Sequence, residues 1–382
     1  MVRGDPPATL VQHGQGTPMS VKASLVPSVG ERRFSPWRED VRVAVVIPAY
    51  QVADRIRDVV ARTPAWVYRI FVVDDACPQD SGGVVESLRD PRVIVLRHSQ
   101  NRGVGAATRT GFRAAVEADC HIAVKIDGDG QMDPTMLETI VTPLLREEAA
   151  LAKGNRFWHV QALRDMPRIR LLGNVLLSFL LKMASGHWHV FDPTNGYLAI
   201  RTDVFQMLDQ SHLSDRYFFE SSLLIETGVY GFRVIDVPLP ARYSGGKSSL
   251  SIAHTLVTFP WRVGLGGLRR FWCRHFWFDF TPVGLISMVG APLVLWGLAF
   301  GGHAWWKSIS TGEPATAGTV MLAALPFLLG AVFLLQALAM EASGAFSKRI
   351  GVYDLRTMLK RDNERHPGSD GWLIERRDRS EP

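Results

Sequence analysis

Two acidic residues separated by one glycine give the strongest chemical signal in this sequence. Asp127, Gly128 and Asp129 follow an apolar run that ends at Ile126, and Gln131 comes two residues later. Three oxygen-bearing side chains that alternate with glycine can converge at the carboxyl end of a strand. Divalent cations such as Mg2+ or Mn2+ prefer oxygen ligands, and Mg2+ keeps part of its shell for water and phosphate. The alternative is a polar turn whose carboxylates accept backbone hydrogen bonds.

The segments around this acidic pair predict an α/β fold with a parallel sheet. Short apolar runs alternate with helical segments, which is the pattern of parallel strands joined by helices. The predicted strands are Val41–Ile47, Arg69–Val73, Val93–Arg97 and His121–Ile126, and the predicted helices are Ala53–Thr63 and Gly103–Ala118. Ligands of such sheets bind beyond the carboxyl ends of the strands. Three polar segments fall at such ends: Pro48–Tyr50, Asp74–Asp75 and Asp127–Asp129.

The glycine pair Gly103 and Gly105 has two interpretations. A dinucleotide fingerprint needs its glycines directly after the first strand and a third glycine at a fixed offset. Here the pair follows the third predicted strand, and Ala107 and Thr108 stand where the pattern needs glycine. We therefore predict the start of a helix that packs closely on the sheet.

A basic segment precedes a short apolar helix in the middle of the chain. Arg156, Arg164, Arg168 and Arg170 are followed by Leu171–Leu181, which is too short to span a bilayer. This helix could belong to the core, or it could lie at the lipid surface with its arginines facing headgroups. The remaining predicted elements are a strand at Leu198–Arg201, a helix at Tyr217–Thr227 that carries Glu220, an edge strand at Phe232–Pro238 and a flexible basic loop at Ala241–Ser249.

The distribution of charge divides the 382 residues into a polar part and a membrane-like part. Charged residues are frequent up to Arg274, and two uncharged spans follow at about Phe280–Trp306 and Ala315–Met340. Each span is long enough to cross about 30 Å of hydrocarbon, although a helical hairpin buried inside a soluble domain is the alternative. Ile252–Phe278 mixes tryptophan with arginine, a composition that suits helices lying in the membrane interface.

Basic residues near the two spans predict their orientation. They are more frequent before and after the hairpin than in its connector, so the positive-inside rule places both ends in the cytosol. We see no secretory signal, and the three cysteines lack metal-type spacing, which indicates a reducing compartment. The net charge of +6 favours an anionic membrane surface as partner, and we find no nucleic-acid motif. We expect an integral protein of the cytoplasmic membrane with a cytosolic catalytic part.

Taken in order, six motifs resemble family 2 glycosyltransferases of the GT-A type, in the polyprenyl-phosphate group that includes dolichyl-phosphate mannose synthases. They are Val45–Tyr50, Val72–Asp75, Asn101–Gly105, Asp127–Gln131, Asp192–Gly196 and Val237–Tyr243 with Lys247. The resemblance implies a GT-A (Rossmann-like) nucleotide-sugar-binding domain. The predicted regions are a flexible N-terminal arm at 1–40, the GT-A catalytic domain at 41–250, amphipathic juxtamembrane helices at 251–278, two transmembrane helices at 279–342 and a cytosolic tail at 343–382.

The resemblance also implies roles for particular residues. The donor, a nucleotide-diphosphate sugar, would bind near Pro48, Ala49, Tyr50 and Asp75. A divalent cation (Mg2+ or Mn2+) under its diphosphate would be held by Asp127, Asp129 and Gln131. The acceptor would be a polyprenyl phosphate in the lipid bilayer. The candidate catalytic residues are Asp129, Arg156, Arg170, Arg242, Lys247 and Glu220, with Arg164 and Arg168 as weaker candidates.

Several alternatives stay open at this point. Each basic candidate could instead be a surface charge, and we predict a structural role for Lys125 because strand alternation points it away from Ile126's side. The sequence departs from the family at Gln51 and Val52, and at Ser221 and Ser222, where relatives commonly carry other polar or acidic residues. The protein could also be a non-catalytic nucleotide-sugar or lipid-binding regulator, or a transferase for a glycan or protein. Glucose and mannose both fit as the sugar, and hairpins could pair into a homo-oligomer.

Overall fold

The computed structural model describes residues 41–156, 168–239 and 252–344, with side chains except at 168–172, 174 and 252–258. The predicted N-terminal arm and nearly all of the predicted tail lie outside these ranges. The strands are β1 Val43–Ala49, β2 Arg69–Asp74, β3 Val93–Arg97, β4 Ile122–Lys125, β5 Leu151–Asn155, β6 Leu198–Arg201 and β7 Val234–Pro238. The α-helices are α1 Ala53–Ala61, α2 Ser81–Glu86, α3 Val104–Glu117, α4 Leu137–Leu145, α5 Arg168–Ser185, α6 Thr202–Met207, α7 Phe219–Val229, α8 Ile252–Trp272, α9 Pro282–Thr311 and α10 Ala317–Gly344.

The strands form one mixed sheet in the order β3-β2-β1-β4-β6-β5-β7. The first four strands are parallel, as the alternation of strands and helices predicts. β6 runs antiparallel to both β4 and β5, so the expectation of an all-parallel sheet is wrong at this strand. β5 was not predicted, because Lys153 interrupts its apolar run. β5 and β7 are parallel to each other, so the carboxyl ends of β1, β2, β4, β5 and β7 share one edge.

Helix α3 shows how the sheet and the helices pack. Phe112 is fully buried, and its ring meets Phe205 edge to face with the centroids 5.2 Å apart. Gly111 lies directly on Val46 of β1, where a side chain would collide with it. Gly103 and Gly105, however, approach the backbone of residues 214–215 instead of the sheet. The prediction of a helix start that packs on the sheet is confirmed, because Ala107 lies in one core cluster with Val46 and Val73, although the two glycines themselves face residues 214–215.

Helices α5, α7 and α8 form a second layer with its own small core. Leu181, Ile225 and Val263 are buried in this cluster, one from each helix. Gly267 of α8 lies against Ala184 of α5, because a small residue lets two helix backbones approach closely. The opposite side of α5 exposes Val175, Leu176, Phe179 and Met183. Helix α5 therefore contributes one side to the core and leaves an exposed apolar surface on the other, and its contact with lipid stays a prediction.

The arginines of α8 and of the π-helical turn Cys273–Trp277 contact protein more than they face outwards. Arg270 is buried, Arg269 pairs with Glu226 of α7, and Arg274 lies against Gly231. Among the side chains described in this segment, the exposed apolar ones and Arg262 fit the interfacial interpretation. These apolar residues are Trp261, Leu265, Leu268, Trp272, Trp277 and Phe278. Most of the arginines here hold the helix to the protein, which corrects that interpretation.

Helices α9 and α10 are long and apolar enough to cross a membrane. Gly290 and Gly330 let their backbones approach each other closely, and Gly297 receives Phe327. Most of the other apolar side chains of the pair are exposed, so it is not the buried core of a soluble domain. Thr281 caps the start of α9 by accepting a hydrogen bond from the Gly284 N–H.

Candidate active site

The acidic pair lies at the shared carboxyl edge of the sheet, just after β4. Asp127 and Asp129 are each partly exposed, and the Gln131 N–H donates to Asp129 Oδ1. Burial raises the pKa of Asp129, and the charge of Asp127 adds to this, although Gln131 and Arg55 act in the opposite direction. Two acids close enough to repel each other favour a cation between or beside them.

Lys125 points away from Ile126, as strand alternation predicts, and this direction places it inside the site, next to the acidic pair. Its ammonium is fully buried and contacts Asp127 Oδ1 at 2.5 Å and Glu220 Oε1 at 3.1 Å. Residues two apart in a strand share a face, so Lys125 belongs with Asp127 and not with Ile126. Burial acts to lower the pKa of Lys125, but the two carboxylates outweigh it and raise that pKa. Lys125 therefore stays protonated and ties α7 to the acidic pair.

The segment 192–197 covers the site from the side of β6. Gly196 lies so close to Asp127 Oδ2 and Lys125 Nζ that an added Cβ would be 2.7 and 2.8 Å from them. Any side chain at Gly196 would therefore displace the ion pair. Asn195 fixes the segment, because its amide donates to the Gly154 carbonyl and its Oδ1 accepts from the Tyr197 N–H.

Arg156 is held in place by the same segment. Its guanidinium donates two hydrogen bonds to the carboxylate of Asp192, at 2.8 and 3.1 Å. Asp192 is fully buried, whereas 39% of the Arg156 side chain is exposed. A planar guanidinium that is held in place by a carboxylate has the geometry for bidentate recognition of a phosphate.

Lys153 of β5 is a site residue that the sequence did not reveal. Its amine is fully buried and donates to the Asn195 carbonyl at 2.7 Å. Burial lowers the pKa of Lys153 to about 8, although Glu220 and Asp192 act to raise it. Burial also raises the pKa of Asp236 to about 6. The floor of the site thus alternates in charge from Asp127 through Lys125, Glu220, Lys153 and Asp192 to Arg156.

The predicted nucleotide side lies where β1 and β2 end. Tyr50 is exposed and Ala49 is buried, and the Gln51 N–H donates to the Cys77 sulfur, which joins the two loops. Asp75 is buried and already engaged: its carboxylate accepts from the Arg102 and Gly103 N–H groups and contacts His98 Nδ1 at 2.6 Å. This carboxylate orders the start of α3. Its Oδ2 keeps one lone pair for a further donor.

The other predicted site residues are described to different extents. Glu220 is buried against Lys125, so it is engaged in an ion pair. Pro48 is half-buried, and Gln131 is exposed next to Asp129. Arg170 lies in the first turn of α5, but its side chain is outside the described set, as is that of Arg168. Arg164, Arg242 and Lys247 lie outside the described residues.

The donor set fits a divalent cation that takes only part of its shell from protein. The described residues hold no group of three or more His, Cys, Asp or Glu side chains suited to a metal. Within those same ranges, Asp127 Oδ2 and Asp129 Oδ2 have no hydrogen-bond donor, so each carboxylate keeps one oxygen for a ligand. Two carboxylate oxygens, completed by water and diphosphate, match the usual environment of Mg2+.

Fold and site together define a class of protein. A mixed α/β sheet of the GT-A type carries an acidic pair at its carboxyl edge, with a segment ahead of an antiparallel strand closing over that pair. The family described as Glycosyl transferase family 2 matches residues 44–208. The chain belongs to this family.

Several relatives support this membership. The chain is 30% identical to the polyprenol monophosphomannose synthase of Mycolicibacterium smegmatis, over 58% of this chain and 84% of that protein. It is 27% identical to the UDP-N-acetylglucosamine--dolichyl-phosphate N-acetylglucosaminyltransferase of Methanococcus voltae, over 54% of this chain and 87% of that protein. It is also 27% identical to the undecaprenyl-phosphate mannosyltransferase of Micrococcus luteus, over 52% and 83%.

A solved structure with a similar arrangement is glucosyl-3-phosphoglycerate synthase from Mycobacterium tuberculosis. That structure is a complex with Mn2+, UDP and glucosyl-3-phosphoglycerate, and it is 19% identical to this chain with a TM-score of 0.43. The alignment covers 61% of this chain and 80% of that one.

Proposed function

We propose that this protein is an inverting glycosyltransferase that moves a hexose from a nucleotide-diphosphate sugar to a polyprenyl phosphate. One observation carries the proposal. The segment 192–197 contacts both the acidic pair, through Gly196, and Arg156, through Asp192, in a chain that also has two helices able to cross a membrane. The relatives named above support the acceptor class, because their names specify dolichyl phosphate, polyprenol monophosphomannose and undecaprenyl phosphate.

The donor would lie along the carboxyl edge of the sheet. Its base would bind near Pro48, Tyr50 and Asp75, and its diphosphate would lie beside Asp127 and Asp129. A bound divalent cation supplies positive charge that stabilises the departing diphosphate. Asp127, Asp129 and Gln131 would hold that cation, and Lys125 keeps Asp127 oriented by occupying its other oxygen.

The acceptor needs orientation more than activation. A phosphate monoester has a second pKa near 6, so its oxygen is already nucleophilic at neutral pH. A general base is then unnecessary, which agrees with the engagement of Glu220 by Lys125. Arg156, Arg170, Arg242 and Lys247 are the proposed positioning groups for this phosphate. A single in-line displacement inverts the anomeric carbon and gives a β-linked product from an α-linked donor.

The membrane part would bring the site to its acceptor. Helices α9 and α10 would span the cytoplasmic membrane, and the exposed apolar side chains of α5 and α8 would enter the interface. The predicted distribution of basic residues would leave the catalytic domain and both termini in the cytosol. An acceptor whose tail stays in lipid can be reached only from such a position.

A donor panel tests this function. Membranes that contain the full chain and a polyprenyl phosphate are given labelled UDP- and GDP-sugars, and the product is extracted into organic solvent. We expect one donor to give a labelled lipid, and Asp129→Ala to abolish it. Asp58→Ala is the matched control, because Asp58 is an exposed carboxylate whose described ion pair is with Arg62, the residue that caps the end of the same helix.

The panel has clear contrary results. Labelled glycan or protein in the aqueous phase would assign the activity to another acceptor class. Binding of a nucleotide sugar without transfer to any acceptor would favour a regulator. Transfer that persists in both Asp129→Ala and chelator would contradict the cation-dependent mechanism.

A further inference from the structure

A buried charged cluster outside the active site joins the catalytic domain to the hairpin. We call it the membrane joint and define it as Arg270, His275, Thr281 and Glu341. Arg270 Nη1 donates to Glu341 Oε1 at 2.8 Å, and His275 Nε2 lies 3.0 Å from Glu341 Oε2. His275 Nδ1 contacts Thr281 Oγ1 at 2.7 Å. One carboxylate near the end of α10 thus meets α8, the π-helical turn and, through His275, the cap of α9.

Arg270 also closes the end of helix α5. Its Nε donates to the Ala184 carbonyl at 2.7 Å and its Nη2 to the Met183 carbonyl at 3.2 Å. The last carbonyls of a helix lack partners within the helix, and a cation there satisfies them and complements the helix dipole. A single guanidinium therefore fastens α5 and α10 to each other.

Two glycines lie against the Arg270 side chain, and a side chain at either position would crowd it. Gly186 has a φ of +68°, and a Cβ there would lie 2.8 Å from Arg270 Nη1 and 3.1 Å from Glu341 Oε1. A Cβ at Gly228 of α7 would lie 3.0 Å from Arg270 Cδ. The side chains of Arg270 and His275 are each 5% exposed, and that of Glu341 is 16% exposed. Removing one partner from such a cluster leaves another charge buried without compensation.

The position of α5 matters for the acceptor. Arg170 lies in its first turn, and Val175 and Phe179 are exposed further along. From Arg170 to the capped end the helix rises about 22 Å, so a 10° change in tilt would move its beginning by about 4 Å. A displacement of about 1 Å can already cost on the order of a hundredfold in rate.

We propose that the membrane joint sets the height and tilt of α5 relative to the bilayer, with Arg270 and Glu341 as positioning residues for the lipid acceptor. This inference rests on the proposed transfer to polyprenyl phosphate. The joint holds the site at a fixed distance from the spanning helices, so that an acceptor phosphate emerging from lipid meets Arg156 and the acidic pair. It takes no part in the chemistry itself.

The test compares two acceptors in the full chain reconstituted in phosphatidylethanolamine and phosphatidylglycerol vesicles. One acceptor is a long polyprenyl phosphate in the bilayer, and the other is a short, water-soluble prenyl phosphate. We expect Glu341→Gln to lower kcat/KM for the long acceptor by a factor on the order of ten or more and to leave kcat/KM for the short acceptor within about twofold. Glu313→Gln is the matched control, since Glu313 is an exposed glutamate in the hairpin connector.

A second variant and a second readout keep the inference testable if Glu341→Gln folds poorly. Arg270→Lys keeps the charge beside Glu341 but cannot reach both α5 carbonyls and Glu341, so we expect the same selective loss. Hydrogen–deuterium exchange of the vesicle-bound protein should rise in residues 181–186 and 268–277 of either variant and stay unchanged in β1 and β4. Equal losses on both acceptors, no loss, or unchanged exchange in those segments would each overturn the inference.

Failure of the proposed function gives a different result. If wild-type protein transfers sugar to neither acceptor, the function is wrong, but the exchange measurement still decides whether the joint fixes α5. If wild-type protein serves both acceptors and Glu341→Gln serves both equally well, the function stands and the joint has no positioning role.

Discussion

The sheet edge and the helical layer use charge in opposite ways. At the sheet edge, oppositely charged side chains alternate over a short distance, from Asp127 through Lys125 and Glu220 towards Arg156. In the helical layer, charge is confined to separate contacts such as Arg269 with Glu226 and Arg270 with Glu341, and exposed apolar side chains lie between them. The first arrangement builds a site, and the second attaches it.

This difference shows what each region tolerates. At the sheet edge each buried charge is balanced by opposite charges directly beside it. The loss of one side chain therefore leaves its charged neighbours without compensation. In the helical layer the pairs Arg269–Glu226 and Arg270–Glu341 share no residue, so we expect the loss of one to leave the other formed.

Lys125→Met should have the largest effect on stability. It leaves Glu220 buried without its partner, and breaking a buried pair typically costs about 3 to 5 kcal/mol. Thermal and denaturant unfolding of the detergent-solubilised chain measure the loss. The double variant Lys125→Met with Glu220→Gln should recover a large part of it. A double variant as unstable as the single one would show that the charges are not coupled.

Lys153 should make stability depend on pH. Its folded pKa of about 8 lies below the ordinary value of 10.5, so the unfolded chain binds more protons between these values and stability rises with pH there. Below about pH 8 the buried charge costs about 3 kcal/mol. Lys153→Met removes this cost, so we expect its advantage over wild type to shrink by about 2 kcal/mol between pH 7 and 9.5. A difference in the free energy of unfolding between the two proteins that stays constant across this range would show that the pKa of Lys153 is not lowered by burial.

Arg156→Lys should affect acceptor binding selectively. An ammonium cannot reproduce the bidentate contact with Asp192, and losing one charge-assisted hydrogen bond is worth about tenfold in binding. We expect KM for the polyprenyl phosphate to rise by this factor while KM for the donor stays constant. Steady-state kinetics with each substrate varied in turn give both values. An equal rise in donor KM would place Arg156 on the diphosphate instead.

Arg262→Ala should have the smallest effect and serves as the reference for the helical layer. Arg262 is exposed on α8, so we expect a change within about 0.5 kcal/mol. Arg269→Ala on the same helix leaves the buried Glu226 without its ion-pair partner and should cost several times more. Parallel thermal unfolding of the two variants checks the ratio. Equal effects would mean that the contact with Glu226 adds nothing to stability.

The sequence predicts the first half of the sheet well, for a simple reason. β1, β2 and β4 are fully or almost fully buried, so their apolar runs stand out from the polar segments that follow them. β5 contains Lys153, and a buried lysine interrupts the apolar run by which a buried strand is predicted. The strand could be predicted only if the neighbouring carboxylates were known, since they make the burial of that lysine tolerable.

The sequence does not reveal the partners of two sets of basic residues. Strand alternation places Lys125 on the face opposite to Ile126, but its partner Glu220 comes from α7. The arginines of α8 were assigned to the membrane surface because composition cannot distinguish a side chain that faces lipid headgroups from one that faces Glu226. In both cases the residues were identified and their partners were not, because partners come from elements distant in sequence.

The reversed direction of β6 determines where this architecture can vary. Because the strand begins at the site edge, the residues just ahead of it are the ones that touch the ion pair, and those just behind it open on the far edge of the sheet. Insertions just upstream of Leu198 would therefore change the shape of the active site, whereas insertions directly after Arg201 would fall at the start of α6, on the opposite edge of the sheet.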